Sequence, residues 1–249
     1  MLSLSDRQQE VLARIEAKGF ITLEALAEMF SVSMQTVRRD VIAMHEAGLI
    51  ERFHGGAGVK GGVKGGVWVD RMDHGQKRMI GRSEKRSIAE YVAGLVPDGA
   101  FVYLDVGTTT EAVAEMLASK PLLYVVTNSL HVAAAFDPAR HDVRMLPGRL
   151  SGADGSVTGE DTVLALRALR PDFAFISCSA IEPAGSVMDF DPGKIAVKRM
   201  AMSVARKAYL LATTDKFGKT ARVEIADRAD FNDIITEETG SNSPNSSSS

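Results

Sequence analysis

Apolar residues in the first fifty positions recur at helical spacing. Val11, Leu12 and Ile15 form a stripe that predicts a helix over residues 5–18. Ser5 and Gln8 stand at capping-box spacing at its start, and Gly19 is placed to end it. Thr22 is a cap for a second short helix whose Leu23, Leu26, Ala27 and Phe30 point inward. Ser33 caps a third, in which Val37, Val41 and Met44 fall at i, i+4 and i+7 and turn to the core. At 100° per residue, Gln35 and Arg39 then point away from the core, flanked by Thr36 and Arg38. A Gly-bounded hairpin follows, Gly48-Leu-Ile-Glu-Arg-Phe-His-Gly-Gly56. Two short helices, a tight turn and a hairpin are the layout of a winged helix-turn-helix, whose second helix enters the DNA major groove.

Residues 55–67 break this pattern with a Gly-rich run that repeats Val-Lys-Gly-Gly, and they read as a flexible tether. From about Asp70 the pattern changes again. A helix carrying Lys85, Ile88, Ala89, Val92 and Leu95 leads to a turn at Pro97-Asp-Gly99. Near-continuous apolar strands at 101–104, 122–126, 143–146, 173–178, 209–212 and 233–235 then alternate with helices near 108–118, 129–136, 159–169 and 194–206. That alternation predicts a parallel α/β domain. Residues 240–249 are Ser-rich and read as a disordered tail. The expected division is 1–57 as a DNA-binding head, 58–72 as linker, 73–239 as an α/β sensor domain and 240–249 as tail.

Composition narrows the class. No apolar run reaches membrane-span length, and the polar N-terminal residues carry no signal-peptide core. Cys178, the one cysteine, excludes an internal disulfide and is read as buried packing; a reducing cytoplasm fits best. The histidines have no zinc spacing, so no metal or cofactor is expected. The net charge of −3 is unusual for a nucleic-acid binder, and residues 1–60 hold seven basic against eight acidic side chains. Placement reverses that argument. Arg38, Arg39, Arg52, His54, Lys60 and Lys64 all lie on the third helix, the hairpin or the segment after it, where a local basic face can engage phosphates. A double arginine on a helix is by itself only a solvated face. With the cap, the preceding helix and the hairpin in register, Ser33, Gln35, Thr36, Arg38, Arg39, Arg52 and His54 become the candidate DNA contacts.

Candidate ligand chemistry lies in the second half. Asp105-Val-Gly-Thr-Thr-Thr110 follows a strand and opens a helix, the position where parallel sheets bind ligands and where free amides suit an anion. Gly107 allows close backbone approach, and Thr108, Thr109 and Thr110 add hydroxyls; the simpler reading is that Thr108 caps the helix. The loop lacks the spacing of a nucleotide P-loop, which favours a small phosphorylated molecule. Thr127-Asn-Ser129 ends the next strand, Lys216 sits in Thr213-Thr-Asp-Lys-Phe-Gly218 at another strand end, and Lys85 is a further candidate cation. Asp105 either orients the loop or binds a sugar hydroxyl.

The chain resembles DeoR-family transcriptional regulators over nearly its whole length. The N-terminal resemblance is carried by Phe30-Ser-Val-Ser-Met-Gln-Thr-Val-Arg-Arg-Asp40 and Glu46-Ala-Gly-Leu-Ile-Glu-Arg-Phe-His-Gly-Gly-Ala57. The C-terminal resemblance is carried by Leu104-Asp-Val-Gly-Thr-Thr-Thr110, Val126-Thr-Asn-Ser-Leu130, Phe173-Ala-Phe175, Val197-Lys-Arg-Met200 and Lys216-Phe-Gly218. It implies a sensor domain related in fold to ribose-5-phosphate isomerase that binds a phosphorylated sugar. It also implies homo-oligomers, dimers or tetramers, that repress sugar-catabolic operons until the effector binds. The sequence departs from the family pattern where Thr213 replaces a usual Asp, where Gly148-Arg149 replaces Gly-Gly and where Lys194 replaces a usual Glu. A final helix and strand give way to the Ser-rich tail. Those charge changes suggest an effector more negative than a sugar monophosphate, such as a sugar diphosphate or a phosphodiester.

The expected function is therefore a repressor binding double-stranded operator DNA and released by a phosphorylated sugar, not an enzyme. The rival is a sugar-phosphate isomerase with an appended DNA head, for which Asp189 or Asp191 would serve as the carboxylate base. A third reading is an oligomeric DNA-architecture protein with a vestigial sensor.

Overall fold

In a computed structural model, the structure describes residues 4–18, 20–53, 56–59, 67–68 and 74–239. The chain begins with α1 (Asp6–Lys18), β1 (Phe20–Thr22), α2 (Leu23–Met29), α3 (Met34–Glu46), β2 (Ile50–Phe53) and β3 (Gly56–Val59). The expected capping box is present: the Ser5 amide donates to Gln8 Oε1 at 3.0 Å and the Gln8 amide to Ser5 Oγ at 3.3 Å. β2 and β3 form the antiparallel hairpin of the wing, and β1 joins the far side of β3. Val11, Ile15, Leu26, Val37, Val41 and Met44 close one core beneath it.

Ser33 caps α3, accepting the Thr36 amide on Oγ at 3.2 Å. Ser33→Ala leaves that amide without its side-chain acceptor and costs about 1 kcal/mol. Chemical denaturation followed by helical circular dichroism reads this as a lower midpoint for the head.

The Gly-rich tether is shorter than expected. Gly56–Val59 are strand β3 of the wing, because its backbone pairs with both β1 and β2. Val67–Trp68 form β4, which pairs in parallel with β14 (Lys219–Thr220). Gly19, His54, Lys60, Lys64 and residues 240–249 lie outside the described residues.

The second half continues with α4 (His74–Met79), α5 (Arg82–Leu95), β5 (Phe101–Leu104), α6 (Thr108–Leu117), β6 (Tyr124–Thr127), α7 (Leu130–Ala134) and β7 (Asp142–Met145). A hairpin of β8 (Arg149–Ser151) and β9 (Ser156–Thr158) precedes α8 (Glu160–Arg167) and β10 (Phe173–Ser177). Then come β11 (Ala180–Ile181), β12 (Ser186–Asp189), α9 (Pro192–Val204), β13 (Lys207–Leu211), β14, β15 (Val223–Asp227) and β16 (Asp233–Ile235). The six strands read from the sequence form a single parallel sheet in the order β16-β13-β10-β5-β6-β7. β11, β12 and β15 form a small antiparallel sheet that periodicity did not reveal.

Helices cover both faces, which explains the near-continuous apolar strands. Val102, Leu104, Val125, Phe175 and Leu211 pack with α5, α6 and α7 on one side. Tyr103, Val126, Ala174, Ile176 and Leu210 pack with α8 and α9 on the other. From β5 the chain steps to β6 and β7 on one side, then returns to β10, β13 and β16 on the other. The reversal between β5 and β10 is a topological switch point, and a crevice opens beyond the strand ends there.

Candidate functional site

On α3, the core-facing positions are filled as the spacing required. Val37, Val41 and Met44 are buried, Gln35, Arg38 and Arg39 are exposed, and Thr36 is half-buried. Asp40 is buried, accepting Arg7 Nε at 2.6 Å and Gln8 Nε2 at 3.4 Å, which ties α3 to α1. The one acidic group on α3 upstream of its last turn is thereby occupied, and neither Arg38 nor Arg39 has an ion pair among the described residues. Arg52 lies on strand β2 of the wing.

A cavity of about 510 Å³ opens at the switch point. Its floor is Val106–Thr109 after β5, Ser177–Ser179 after β10, and Thr213, Asp215 and Lys216 after β13. Its walls are the α4–α5 junction, the β8–β9 turn at Gly152–Asp154, and Asp189–Asp191 with Lys194 and Lys198 of α9. The volume lies in the range of small-molecule sites. Gly107 caps α6 with φ +153°, and a Cβ there would stand 2.8 Å from Ser177 Oγ. Glycine is therefore required where the backbone meets the crevice. The first turn of α6 directs its amides and positive dipole end at this point.

The structure divides the residues expected to bind the ligand. Gly107, Thr108, Thr109, Lys85 and Lys216 line the cavity. Asp105, Thr110, Thr127 and Asn128 do not, and each is occupied elsewhere. Thr110 Oγ1 donates to Gly107 O at 2.7 Å. Thr127 Oγ1 donates to Leu104 O at 2.7 Å. Asn128 accepts from Tyr103 Oη at 2.9 Å and donates to Val157 O at 3.1 Å, so the β8–β9 hairpin seals the end of β6. Asp105 is fully buried behind the floor, where it accepts Ser177 N at 3.0 Å, Ser177 Oγ at 2.9 Å and the Lys198 ammonium. It orients the loop and lies outside the cavity lining.

Lys198 was not foreseen as a site residue. Burial alone would lower its pKa, but attraction to Asp105 and to Asp189, 3.4 Å away, outweighs this and pushes it up to about 12. A signal was present: Lys194 and Lys198 fall one turn apart on the same face of α9 as the buried Ile195 and Ala201. A lysine on the apolar face of a helix needs a buried partner. The charge added at Lys194 is likewise matched, because its ammonium pairs with Asp154. Arg149 is exposed on β8 and outside the cavity lining, and Thr213 donates to Asp215. The departures at 194 and 149 thus add no free charge to the cavity, which removes that support for a more negative effector.

Lys85 Nζ donates to Ile80 O at 2.6 Å and to Lys77 O, capping the last turn of α4. Burial and then the charge of Lys216 lower its pKa. Lys216 Nζ donates to Cys178 O at 2.6 Å. Lys77, also unforeseen, faces the cavity from α4, and its pKa is lowered chiefly by burial. His74 meets Glu111 Oε1 at 2.6 Å and stacks on His131 with ring centres 4.7 Å apart, fastening α4 to α6.

The two carboxylates that would serve an isomerase are engaged. Asp189 accepts Ser179 Oγ and Phe190 N at 2.8 Å each; burial would raise its pKa, but Lys198 and these bonds hold it below the usual carboxylate range. A general base works best with a pKa raised toward the operating pH. Asp191 caps α9 through Gly193 N at 2.9 Å and Lys194 N at 3.2 Å. Among the described residues no group of His, Cys, Asp and Glu could hold a metal ion, and no helix is long and apolar enough to cross a membrane.

A winged helix-turn-helix joined to a parallel α/β domain with a lysine-lined crevice defines a ligand-responsive DNA-binding protein. Residues 7–61 match the DeoR-like helix-turn-helix domain and residues 81–238 the DeoR C terminal sensor domain. The chain belongs to the DeoR family of transcriptional regulators. It is 35% identical over 231 residues to the glycerol-3-phosphate regulon repressor of Haemophilus influenzae, covering 92% of this chain and 88% of that protein. It is 34% identical over 238 residues to the HTH-type transcriptional repressor CsqR of Escherichia coli, covering 95% and 89%. The ribose 5-phosphate isomerase A of Methanocaldococcus jannaschii is similar at 14% identity over 53% of each chain, with a TM-score of 0.39. The relatives matched along most of their length are regulators, and the chain is not an enzyme.

Proposed function

We propose that this protein is a cytoplasmic homo-oligomeric repressor that binds an operator through α3 and the wing, and that a phosphorylated sugar in the switch-point cavity releases it. The observation that carries this reading is the cavity itself: Gly107–Thr109 at the start of α6 face Lys85 and Lys216 across a space sized for a small ligand. Ser33, Gln35, Thr36, Arg38, Arg39, Arg52 and His54 form the proposed DNA-contacting set. Names of relatives, such as the glycerol-3-phosphate regulon repressors, support both repression and a phosphorylated small molecule as the signal. Release requires the effector to prefer the DNA-free arrangement; a hundredfold loss of operator affinity needs about 2.7 kcal/mol of such preference.

A mobility-shift assay on DNA upstream of the gene tests this, with glycerol 3-phosphate, fructose 1-phosphate, fructose 6-phosphate and ribose 5-phosphate added in turn. The expected result is a retarded complex dissolved by at least one phosphorylated compound and not by its unphosphorylated parent. Release by the neutral parent alone would remove the anion site from the account.

A further inference from the structure

We infer that the outer edge of β7 is a self-association surface, on which two copies of this chain join their sheets by antiparallel pairing of Asp142–Met145 about a two-fold axis at Val143. This rests on the homo-oligomer of the proposed function and names the surface that builds it.

The backbone of β7 is open on one side. β7 ends the six-stranded sheet, and among the described residues it pairs with β6 alone. The Asp142 amide donates to Leu123 O at 3.0 Å and the Leu146 amide to Thr127 O at 2.9 Å, so both point inward. Alternation then turns the N–H and C=O groups of Val143 and Met145 outward. A row of this kind is a template for another strand. β5 and β10 are buried past their first residue, whereas in β7 Asp142 and Arg144 are exposed and Val143 and Met145 half-buried.

Charge selects the strand that fits. Asp142 and Arg144 stand two residues apart on one face of the sheet, in register with Tyr124 and Val126. Neither side chain has a hydrogen bond or an ion pair among the described residues. When β7 pairs with itself, outward groups meet outward groups only if a residue sits on the axis. An axis at Asp142 or at Arg144 sets like charges opposite each other. An axis at Met145 sets Val143 opposite Pro147, which has no N–H to donate. With the axis at Val143, its N–H and C=O meet the same groups of the second copy, and each Asp142 faces an Arg144. Side chains directly opposite one another are close enough to pair. The edge is therefore complementary to itself, as a two-fold contact requires. β16, the other edge of the sheet, carries Asp233 without a basic residue and lacks this property. Tyr124 at the start of β6 and Leu122 just before it remain exposed beside β7, which adds apolar surface for the two copies to enclose. The resulting dimer has the symmetry of a palindromic pair of half-sites.

The test follows the mass of the full-length protein by sedimentation equilibrium over a dilution series. Arg144→Asp and Asp142→Arg each turn two attractive pairs into two repulsive ones and are expected to raise the dissociation constant about tenfold or more. Both positions are exposed, so circular dichroism and thermal unfolding should match wild type. An equal mixture of the two variants is expected to recover wild-type association, because every acid of one chain then faces a base of the other. The double exchange, Asp142→Arg with Arg144→Asp, is expected to recover it alone. Wild-type association in both single variants overturns the β7 surface and leaves the homo-oligomer standing. Dissociation without recovery in the mixture overturns the pairing about Val143. A wild-type protein that is monomeric at every concentration overturns both this surface and the homo-oligomer.

Discussion

Asp105→Ala lowers the stability of the sensor domain by about 3–5 kcal/mol, the cost of removing one partner from a buried ion pair. Asp105 and Lys198 are 0% and 1% exposed, so the ammonium left behind is poorly solvated and keeps only Asp189, 3.4 Å away, as a charged partner. Ser177 N and Ser177 Oγ lose their shared acceptor as well. Asp105→Asn does not repair the site, because an amide brings a donor toward an ammonium. In thermal unfolding the loss reads as a fall of about 10 °C. Lys198→Met is destabilising in its turn, and the double variant costs less than the two single changes together, because the Asp105–Lys198 pair is lost only once. The pair also gives a pH signature. The pKa of Lys198 rises from 10.5 unfolded to about 12 folded. Its contribution, on the order of 2 kcal/mol, is complete below pH 10.5 and is lost as the pH climbs through 12. Asp189 is shifted downward, so its contribution holds above the ordinary carboxylate range and is lost in acid. Denaturation midpoints measured from pH 7 to 12 should stay level and then drop above 10.5, and Lys198→Met should lack that share of the drop. A loss below 1 kcal/mol for Asp105→Ala would mean that the pair is not what orders the floor of the cavity.

The same pair marks where the sequence was readable and where it was not. The six central strands were visible because both faces of each are covered, leaving near-continuous apolar runs such as Phe101–Leu104 and Phe173–Ser177. The third helix was visible because Ser33, Val37, Val41 and Met44 each obey a local rule of capping or period. Strands β11, β12, β14 and β15 obey no local rule. β12 pairs with β15 across α9 and β13, and that pairing is set by tertiary contact. The cavity loop was legible at Gly107–Thr109, since a strand end, a glycine and a helix start coincide there. Its partners were not: Lys77, Lys198 and Asp189 come from distant elements that meet only in the fold. Thr127 and Asn128, expected at the ligand, fall outside the cavity lining for a related reason. The end of β6 does lie beside that of β5, but the β8–β9 hairpin closes over it through Val157, and that hairpin left no periodic trace.

Arg39→Ala weakens operator binding by about 10- to 100-fold, the equivalent of roughly 1–3 kcal/mol for a groove or phosphate contact. The magnitude follows from the state of the helix before DNA arrives. Ser33 and Asp40 fix both ends of the reading segment, one as a cap and one through Arg7, so little ordering remains to oppose binding. The nearest carboxylate in sequence, Asp40, is turned inward against Arg7, and Arg39 presents an unshared charge. Arg38→Ala should fall in the same range, and the two variants are told apart by salt. Loss of a phosphate contact lowers the slope of log affinity against log salt by about 1 and weakens all sequences alike. Loss of a base contact leaves the slope and relaxes preference at one operator position. Effector binding, measured on the same proteins without DNA, should be unchanged, because α3 contributes nothing to the cavity lining. Wild-type operator affinity in both variants would place the recognition surface elsewhere on the head, and the exposed basic face of α3 would then be only a solvated one.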